Sequence, residues 1–254
     1  MPLTAHAPTA ILSALPEEQA GLAMRLAAPV ASSHAGRSFV QGTLDGLPVV
    51  LALSGIGKVA AASTATLLIE RFGAARILFT GVAGGLGAQV RVGDVVVARD
   101  FVQHDMNAAP LFPRFEVPLT GVSRFPADAA LTDALLQAAR AALADPDLVD
   151  AAERLRFGLQ QPKVHHGLLA SGDRFVSSHA EVAELRAALP EALAVDMESA
   201  AVAQVCAAYG LPFAAVRTVS DRADDAAHVD FPAFVTAVAS RYAGVIMGCY
   251  LNNS

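Results

Sequence analysis

The segment V-D-M-E-S-A, residues 195–200, decides the fold, because it joins a predicted strand directly to a predicted helix. The apolar run over 192–197 is typical of a buried strand, and 198–209 has the apolar spacing of a helix. A second segment, V-R-T-V-S-D-R-A-D, residues 216–224, also begins in an apolar, strand-like run. Strands that alternate with helices in this way indicate an α/β domain.

The rest of the chain continues the alternation. Asp45-Gly46 is a strong hairpin signal, and the strand that starts at residue 76 is expected to stop at Gly81. The pattern predicts one α/β domain over 1–254, a three-layer αβα sandwich with a mixed, largely buried sheet. The predicted strands cover 10–15, 38–44, 47–54, 76–80, 95–98, 164–171, 192–197 and 213–219, and the predicted helices cover 17–27, 58–71, 128–144, 180–188, 198–209 and 231–250.

Composition excludes several classes of function. The 254 residues carry a formal net charge of −6 without a basic cluster, which argues against nucleic acid as a partner. The two cysteines and seven histidines form no disulfide framework and no ligand cluster, so we expect a reducing cytoplasm, no metal and no cofactor. No uninterrupted apolar run is long enough for a membrane span, and the N-terminus lacks a basic region, so neither a membrane partner nor a signal peptide is expected.

Two carboxylates follow buried strands. Glu198 ends the first apolar run and Asp221 ends the second. Charged groups are rare at such places unless the site uses them. A pair of acids with a ligand between them suits chemistry on a polyhydroxylated, hydrolysable substrate.

Two glycine-rich segments also follow predicted strands. S-G-I-G-K, residues 54–58, matches the dinucleotide-binding fingerprint only loosely, because no acid follows at the required distance; a tight turn that exposes backbone N–H groups is favoured. G-V-A-G-G, residues 81–85, would let a bulky ligand approach the backbone closely, and the alternative is a packed turn at a sheet edge.

Several candidate residues have a simple structural explanation as well as a functional one. Phe175 and Phe231 can stack on an aromatic ligand or belong to the core. Met197 is either core filler or an apolar contact to a ligand. Glu17 and Glu18 fit the first turn of any helix, where acids favour the helix dipole. The irregular segment 104–124 holds three prolines and is predicted to be a functional loop or an interface.

In this order, the motifs resemble those of the 5′-methylthioadenosine/S-adenosylhomocysteine nucleosidases, within the nucleoside phosphorylase/hydrolase superfamily. The resemblance runs from about residue 11 to residue 251 and implies the nucleoside phosphorylase-like fold. It is carried by S-A-L-P-E-E, S-G-I-G-K-V-A-A, T-G-V-A-G-G-L, V-G-D-V-V-V, H-D, G-L-L-A-S-G-D-R-F, V-D-M-E-S-A and V-R-T-V-S-D-R-A-D.

The resemblance implies a role for each matching residue. Glu18 matches the base that activates a water, and Asp221 matches the acid that protonates the departing adenine. Glu198 matches the carboxylate that holds the ribose hydroxyls. The other matching residues contact or position the nucleoside: Ala83 and Gly84 in the glycine-rich segment, Phe175 against adenine, the Val176 backbone at the purine edge, Met197 against the sugar, Ser220 beside the acid, and Phe231 as an apolar wall.

The resemblance also implies a nucleoside substrate and a homodimer, in which the irregular segment 104–124 could close the pocket for the 5′-substituent. Two residues depart from the family pattern: Pro16 stands where another acid is common, and Val82 replaces a small polar residue. Hydrolysis is favoured over phosphorolysis, because phosphate would need an arginine-rich pocket and Glu18 would repel it. A non-catalytic nucleoside-binding protein on the same scaffold is the third hypothesis.

Overall fold

The computed structural model of the chain describes residues 7–222 and 231–252. Its strands are β1 (Thr9–Ser13), β2 (Ala27–His34), β3 (Arg37–Leu44), β4 (Leu47–Leu53), β5 (Arg76–Gly85), β6 (Val95–Gln103), β7 (Phe125–Pro126), β8 (Val164–Ser171), β9 (Ala192–Asp196) and β10 (Phe213–Asp221). Its helices are α1 (Pro16–Ala23), α2 (Lys58–Glu70), α3 (Ala129–Leu143), α4 (Ala151–Arg156), α5 (His179–Ala188), α6 (Ser199–Tyr209), α7 (Phe231–Phe234) and α8 (Ser240–Leu251).

All ten strands within residues 7–222 and 231–252 belong to one mixed sheet. Strands β4, β1, β5 and β10 lie side by side and parallel, and β2 and β3 extend the β4 edge as antiparallel strands. On the other side, β10 pairs with β6, β6 with β8, β8 with β9, and β9 returns to β5. The strands β5, β10, β6, β8 and β9 therefore close into a ring, which brings the ends of β5, β9 and β10 together.

Helices cover both faces of this sheet. One apolar cluster lies beneath α1, α3 and α8, and a second lies beneath α2 and α6 on the other face. A third, smaller cluster packs beneath α5. Helices on both faces of one mixed sheet confirm the predicted three-layer sandwich. The sheet is buried because small and branched side chains fill the space on both sides of its strands.

Several predicted boundaries agree closely with the structure. The strand predicted at 164–171 is β8, and the hairpin across Asp45-Gly46 joins β3 to β4. Gly210 ends α6 in the left-handed conformation with a φ of 64°, as a glycine that stops a helix commonly does. Asp128 accepts a hydrogen bond from the Leu131 N–H and begins α3.

Other boundaries were wrong. Strand β5 does not stop at Gly81 but continues to Gly85, because parallel pairing with β10 supplies partners for the glycine-rich backbone. Strand β6 also runs further than predicted, to Gln103. Strand β2 was missed: it is an edge strand paired only with β3, and its exposed A-A-P-V-A-S-S-H sequence lacks alternation.

The last helical region differs from the single helix predicted at 231–250. Helices α7 and α8 are separated by a π-helical turn at Val235–Ala239. Among the described residues, the stretch Phe231–Leu251 is the one helical segment long and apolar enough to cross a membrane, with a mean hydropathy of 1.3. However, 72% of the most apolar 18-residue stretch within that segment is buried in the fold, which is typical of a core helix.

Candidate active site

A cleft opens where β5, β9 and β10 end beside the start of α1. All ten residues that the sequence singled out line this one cleft: Glu18, Ala83, Gly84, Phe175, Val176, Met197, Glu198, Ser220, Asp221 and Phe231. Leu15 and Ile56 add apolar surface to its wall. The topology explains this convergence, since ligands of α/β sheets lie beyond the carboxyl ends of their strands.

Glu18 lies in the first turn of α1 with its carboxylate buried at the floor of the cleft. Its Oε2 accepts hydrogen bonds from the backbone N–H groups of Ala14 and Leu15, both at 2.8 Å, and its Oε1 accepts one from Val82 N–H at 3.0 Å. Burial raises the pKa of Glu18, although the nearby Arg217 charge and these N–H donors act in the opposite direction. The chain turn between β1 and α1 thus holds a buried carboxylate in one orientation.

Gly81 explains how Glu18 reaches this position. A Cβ atom added at Gly81 would lie 2.6 Å from Glu18 Oε1 and also collide with the Arg217 guanidinium. Only glycine leaves space for both charged groups beside β5. The glycine-rich segment is therefore part of a strand that two buried side chains approach, and not a separate turn.

Glu198 follows β9 and is buried against the turn at 54–58. Its Oε1 accepts a hydrogen bond from Gly57 N–H at 2.9 Å, and its Oε2 accepts one from Met197 N–H at 3.2 Å. Burial, followed by the neighbouring Asp196 charge, raises the pKa of Glu198 to about 7. Each carboxylate oxygen keeps one further acceptor position, so Glu198 can receive two more hydrogen bonds.

The S-G-I-G-K turn supplies N–H donors to carboxylates of the protein. Gly57 adopts a φ of 97°, which glycine tolerates, and its N–H reaches Glu198. Lys58 N–H donates to Asp173 at 2.8 Å, while its ammonium pairs with Asp105 at 2.6 Å. The tight turn favoured from the sequence is therefore observed, and the donors that a dinucleotide phosphate would use are occupied.

Asp221 stands at the end of β10, opposite Gly84 of β5 in the strand register. An irregularity between Val219 and Asp221 shifts that register, so that Ser220 and Asp221 both line the cleft. The Ser220 hydroxyl donates a hydrogen bond to Asp221 Oδ2 at 2.6 Å. The last two residues of the motif, Ala223 and Asp224, lie outside the described residues.

Two phenylalanines form the mouth of the cleft. The Phe175 side chain is 48% exposed, which excludes the alternative of an ordinary core phenylalanine. Its ring contacts that of Phe231 edge to face, with centroids 6.4 Å apart and an interplanar angle of 81°. The exposed face of such a ring can stack on a flat aromatic ligand.

Sequence and structure comparisons place this chain in a known family. A sequence profile of the Phosphorylase superfamily matches residues 8–249. The 5′-methylthioadenosine/S-adenosylhomocysteine nucleosidase of Anoxybacillus flavithermus is 37% identical over 230 residues, which cover 91% of this chain and 92% of that protein. The chain belongs to the 5′-methylthioadenosine/S-adenosylhomocysteine nucleosidase family. The resemblance drawn from the motifs is thereby confirmed.

Solved structures of nucleosidases in this family share the fold. The enzyme from Neisseria meningitidis, in complex with methylthio-immucillin-A, is 35% identical with a TM-score of 0.86, and the match covers 98% of this chain and 100% of that chain. The enzyme from Colwellia psychrerythraea, in complex with adenine, is 32% identical with a TM-score of 0.81, covering 96% and 94% respectively. The nucleoside phosphorylase-like fold predicted from the sequence is confirmed.

Sequence reasoning missed a buried polar network of this nucleosidase, which reaches the cleft through Asp196. Arg217, whose orientation the sequence left open, is 1% exposed and pairs with Asp196 at 2.8 Å. The hydroxyl groups of Ser171 and Ser199 both donate to Asp196. An arginine inside an apolar strand was the available signal, because such a cation is rarely buried without a carboxylate partner.

Proposed function

We propose that the protein hydrolyses the N-ribosidic bond of 5′-substituted adenosines and releases adenine. The substrates named for its relatives are 5′-methylthioadenosine and S-adenosylhomocysteine. The observation that carries the proposal is the position of three carboxylates, those of Glu18, Glu198 and Asp221, around one cleft. Neither phosphorolysis nor nucleoside binding without catalysis requires all three.

Breaking an N-ribosidic bond develops positive charge on the sugar and negative charge on the leaving purine. The reaction therefore requires an acid at the purine and a base at an attacking water on the other side of the sugar. Asp221 is the acid in this proposal, and Ser220 positions it through the hydrogen bond to Oδ2. Placing a proton at the purine neutralises the charge that develops on the leaving group.

Glu18 is the base in this proposal. Two backbone N–H groups occupy Oε2 and one occupies Oε1, so one acceptor position remains on Oε1. That position can hold and deprotonate a single water. Because burial raises the pKa of Glu18, its carboxylate is a stronger base than an exposed glutamate.

Glu198 holds the sugar in this proposal. One acceptor position on each of its oxygens matches the two adjacent hydroxyl groups of ribose. Met197 lies beside it as an apolar contact for the sugar ring, and Ala83 and Gly84 leave the backbone of β5 open to the ligand. The purine then lies against Phe175 and the Val176 backbone, with Phe231 as the outer wall.

Phosphorolysis fits the cleft less well. A phosphate needs cationic partners, and among the described residues that line the cleft Arg174 is the one cation. Arg174 forms an ion pair with Glu181, and the buried Glu18 would repel a phosphate at the floor. A purely nucleoside-binding role would not require the Ser220–Asp221 hydrogen bond or the buried Glu18 carboxylate.

Adenine release from a panel of 5′-substituted adenosines, with and without inorganic phosphate, tests the proposal. We expect release from 5′-methylthioadenosine and S-adenosylhomocysteine at a rate independent of phosphate. Turnover that requires phosphate would establish phosphorolysis instead. Binding of the nucleoside without any adenine release would establish the binding protein.

We also propose that the protein is a cytoplasmic homodimer whose chain forms a single domain. Leu111 and Leu119 in the irregular segment expose 83% and 90% of their surface, which suits contact with a second copy. The single sheet that includes all ten strands supports one domain. A chain with two cysteines and no disulfide framework suits a reducing compartment.

A further inference from the structure

Asp196 ends β9 and directs its carboxylate at buried groups of the protein. Oδ1 accepts hydrogen bonds from the Ser171 hydroxyl and from the backbone N–H groups of Glu198 and Ser199. Oδ2 accepts hydrogen bonds from the Ser199 hydroxyl and from Arg217 Nε, the latter at 2.9 Å. These contacts fix the carboxylate in one orientation next to Glu198.

Arg217 lies between Asp196 and the sugar-binding carboxylate. Its guanidinium covers the ring of Phe79 at 3.9 Å and donates to Ser199 Oγ at 3.0 Å. Arg217 Nη2 is 2.8 Å from Asp196 Oδ2 but 3.9 Å from Glu198 Oε2, which is too far for a hydrogen bond. The cation therefore pairs with Asp196 and stays about 1 Å short of Glu198.

Asp196 and Glu198 compete for this one cation, and the buried Glu18 carboxylate, which approaches the guanidinium beside Gly81, is a third charge that attracts it. A buried guanidinium without a paired carboxylate is strongly unfavourable, so Arg217 would move toward Glu198 if Asp196 lost its charge. Glu198 Oε2 already accepts the Met197 N–H, and a close contact with Arg217 would fill its remaining position. That position is the one a ribose hydroxyl needs.

We propose that Asp196 is a positioning residue of the sugar site: it holds Arg217 back from Glu198 and so keeps Glu198 Oε2 open for a ribose hydroxyl. The inference rests on the proposed function, because it assumes that Glu198 binds ribose. Asp196 also lines the cleft, but both of its carboxylate oxygens accept hydrogen bonds from protein groups, so its role in selecting ribonucleosides acts through Arg217 and Glu198.

Equilibrium binding tests this role. In an Asp221→Asn background, which slows turnover, calorimetry measures the affinity of 5′-methylthioadenosine and of its 2′-deoxy analogue at a pH well above 7. A hydrogen bond to a charged group predicts that the background variant prefers the ribonucleoside on the order of 10–100-fold. Adding Asp196→Asn is expected to reduce this preference to about 3-fold or less.

The pH dependence separates positioning from a merely structural role. In the background variant, ribonucleoside affinity should fall as the pH drops below about 7, because Glu198 becomes protonated. Three charged groups act on Glu198: Asp196 and Glu18 raise its pKa, and Arg217 lowers it. Asp196→Asn removes one of the raising charges and brings Arg217 closer while Glu18 stays in place, so the midpoint of this fall should move to lower pH. A variant that only loosened the packing would leave the midpoint unchanged.

Ser199→Ala is the matched control, because it removes a hydroxyl that contacts both Asp196 and Arg217 but leaves the carboxylate charge. Its preference for the ribonucleoside should stay within about 2-fold of the background. If Asp196→Asn alone does not fold, the double substitution Asp196→Asn/Arg217→Met removes both buried charges. With no cation left to occupy Glu198, that variant should retain the ribonucleoside preference.

Two results would contradict the positioning role of Asp196, and a third would contradict the proposed function. An unchanged ribonucleoside preference in Asp196→Asn overturns the positioning role, even if the midpoint moves, because loss of the Asp196 charge alone lowers the pKa of Glu198. A preference that is absent from the double variant overturns it as well, because no cation remains to block the oxygen. If the Asp221→Asn protein binds neither nucleoside, the proposed function itself fails.

Discussion

At the scale of single residues, Asp221→Asn removes a proton donor and keeps the shape of the side chain. We expect adenine release to fall by at least about 10²-fold while nucleoside binding is largely retained, because the acid acts on the leaving purine. Steady-state kinetics and calorimetry measure the two effects separately. Asp133→Asn on the exposed surface of α3 is the control and should keep full activity. Near-normal turnover in Asp221→Asn would refute the assignment of the acid.

Glu198→Gln tests the sugar-binding carboxylate. The amide keeps one acceptor oxygen but replaces the other with an NH₂ group, so at least one ribose hydroxyl loses its partner. Affinity for ribonucleosides should fall about 10-fold or more, and affinity for 2′-deoxy analogues should fall far less. Competition binding with both analogue series measures this. Glu17→Gln, on the exposed side of α1, is the control, and equal losses on both series would contradict the sugar role.

The same glutamate predicts a pH dependence of stability. Its folded pKa of about 7 lies above the unfolded value of 4.5, so the folded state binds more protons between these values. The free energy of unfolding contributed by Glu198 is therefore fully present below pH 4.5 and is lost as the pH rises through about 7. Glu198→Gln should remove this loss, on the order of 3 kcal/mol, as measured by urea unfolding at several pH values. If the free energy of unfolding depends on pH in the same way in the unmodified protein and in Glu198→Gln, the raised pKa of Glu198 is contradicted.

At the scale of elements, β5 is unusual because two charged side chains from α1 and β10 meet beside its backbone at Gly81. Gly81→Ala should displace Glu18 and Arg217, destabilise the protein by about 1–3 kcal/mol and greatly reduce turnover. Thermal unfolding and adenine release measure the two effects. Gly244→Ala in α8 is the matched control, since its added Cβ would meet no atom closer than 3.8 Å. A fully active Gly81→Ala enzyme would show that this close approach is dispensable.

At the scale of the whole molecule, the exposed leucines of the irregular segment predict self-association. Leu111→Asp combined with Leu119→Asp should convert a dimer into a monomer, because charges would replace apolar contact surface. Sedimentation velocity at micromolar concentration measures the change. Leu155→Asp on α4 replaces an equally exposed leucine elsewhere and should leave the dimer intact. An unmodified protein that sediments as a monomer would contradict the proposal.

Much of the fold was predictable because its signals are local. Strand β8, the β3–β4 hairpin and the end of α6 at Gly210 follow from apolar runs and turn residues, and the structure places them as predicted. The extent of β5 was not predictable, since its glycine-rich end is held by pairing with β10, far away in sequence. Strand β2 has no apolar alternation, because it lies at the edge of the sheet and neither of its faces is buried.

The sequence by itself determined which residues have the chemistry for the site: Glu18, Glu198 and Asp221 stand out because acids follow or begin apolar elements. Only the tertiary structure decided what surrounds each of them. The Val82 N–H on Glu18, the Gly57 N–H on Glu198 and the ion pair between Arg217 and Asp196 join elements distant in the chain. Pattern along a chain reports the nature and spacing of side chains, whereas hydrogen bonding, burial and charge balance depend on contacts that exist only after folding.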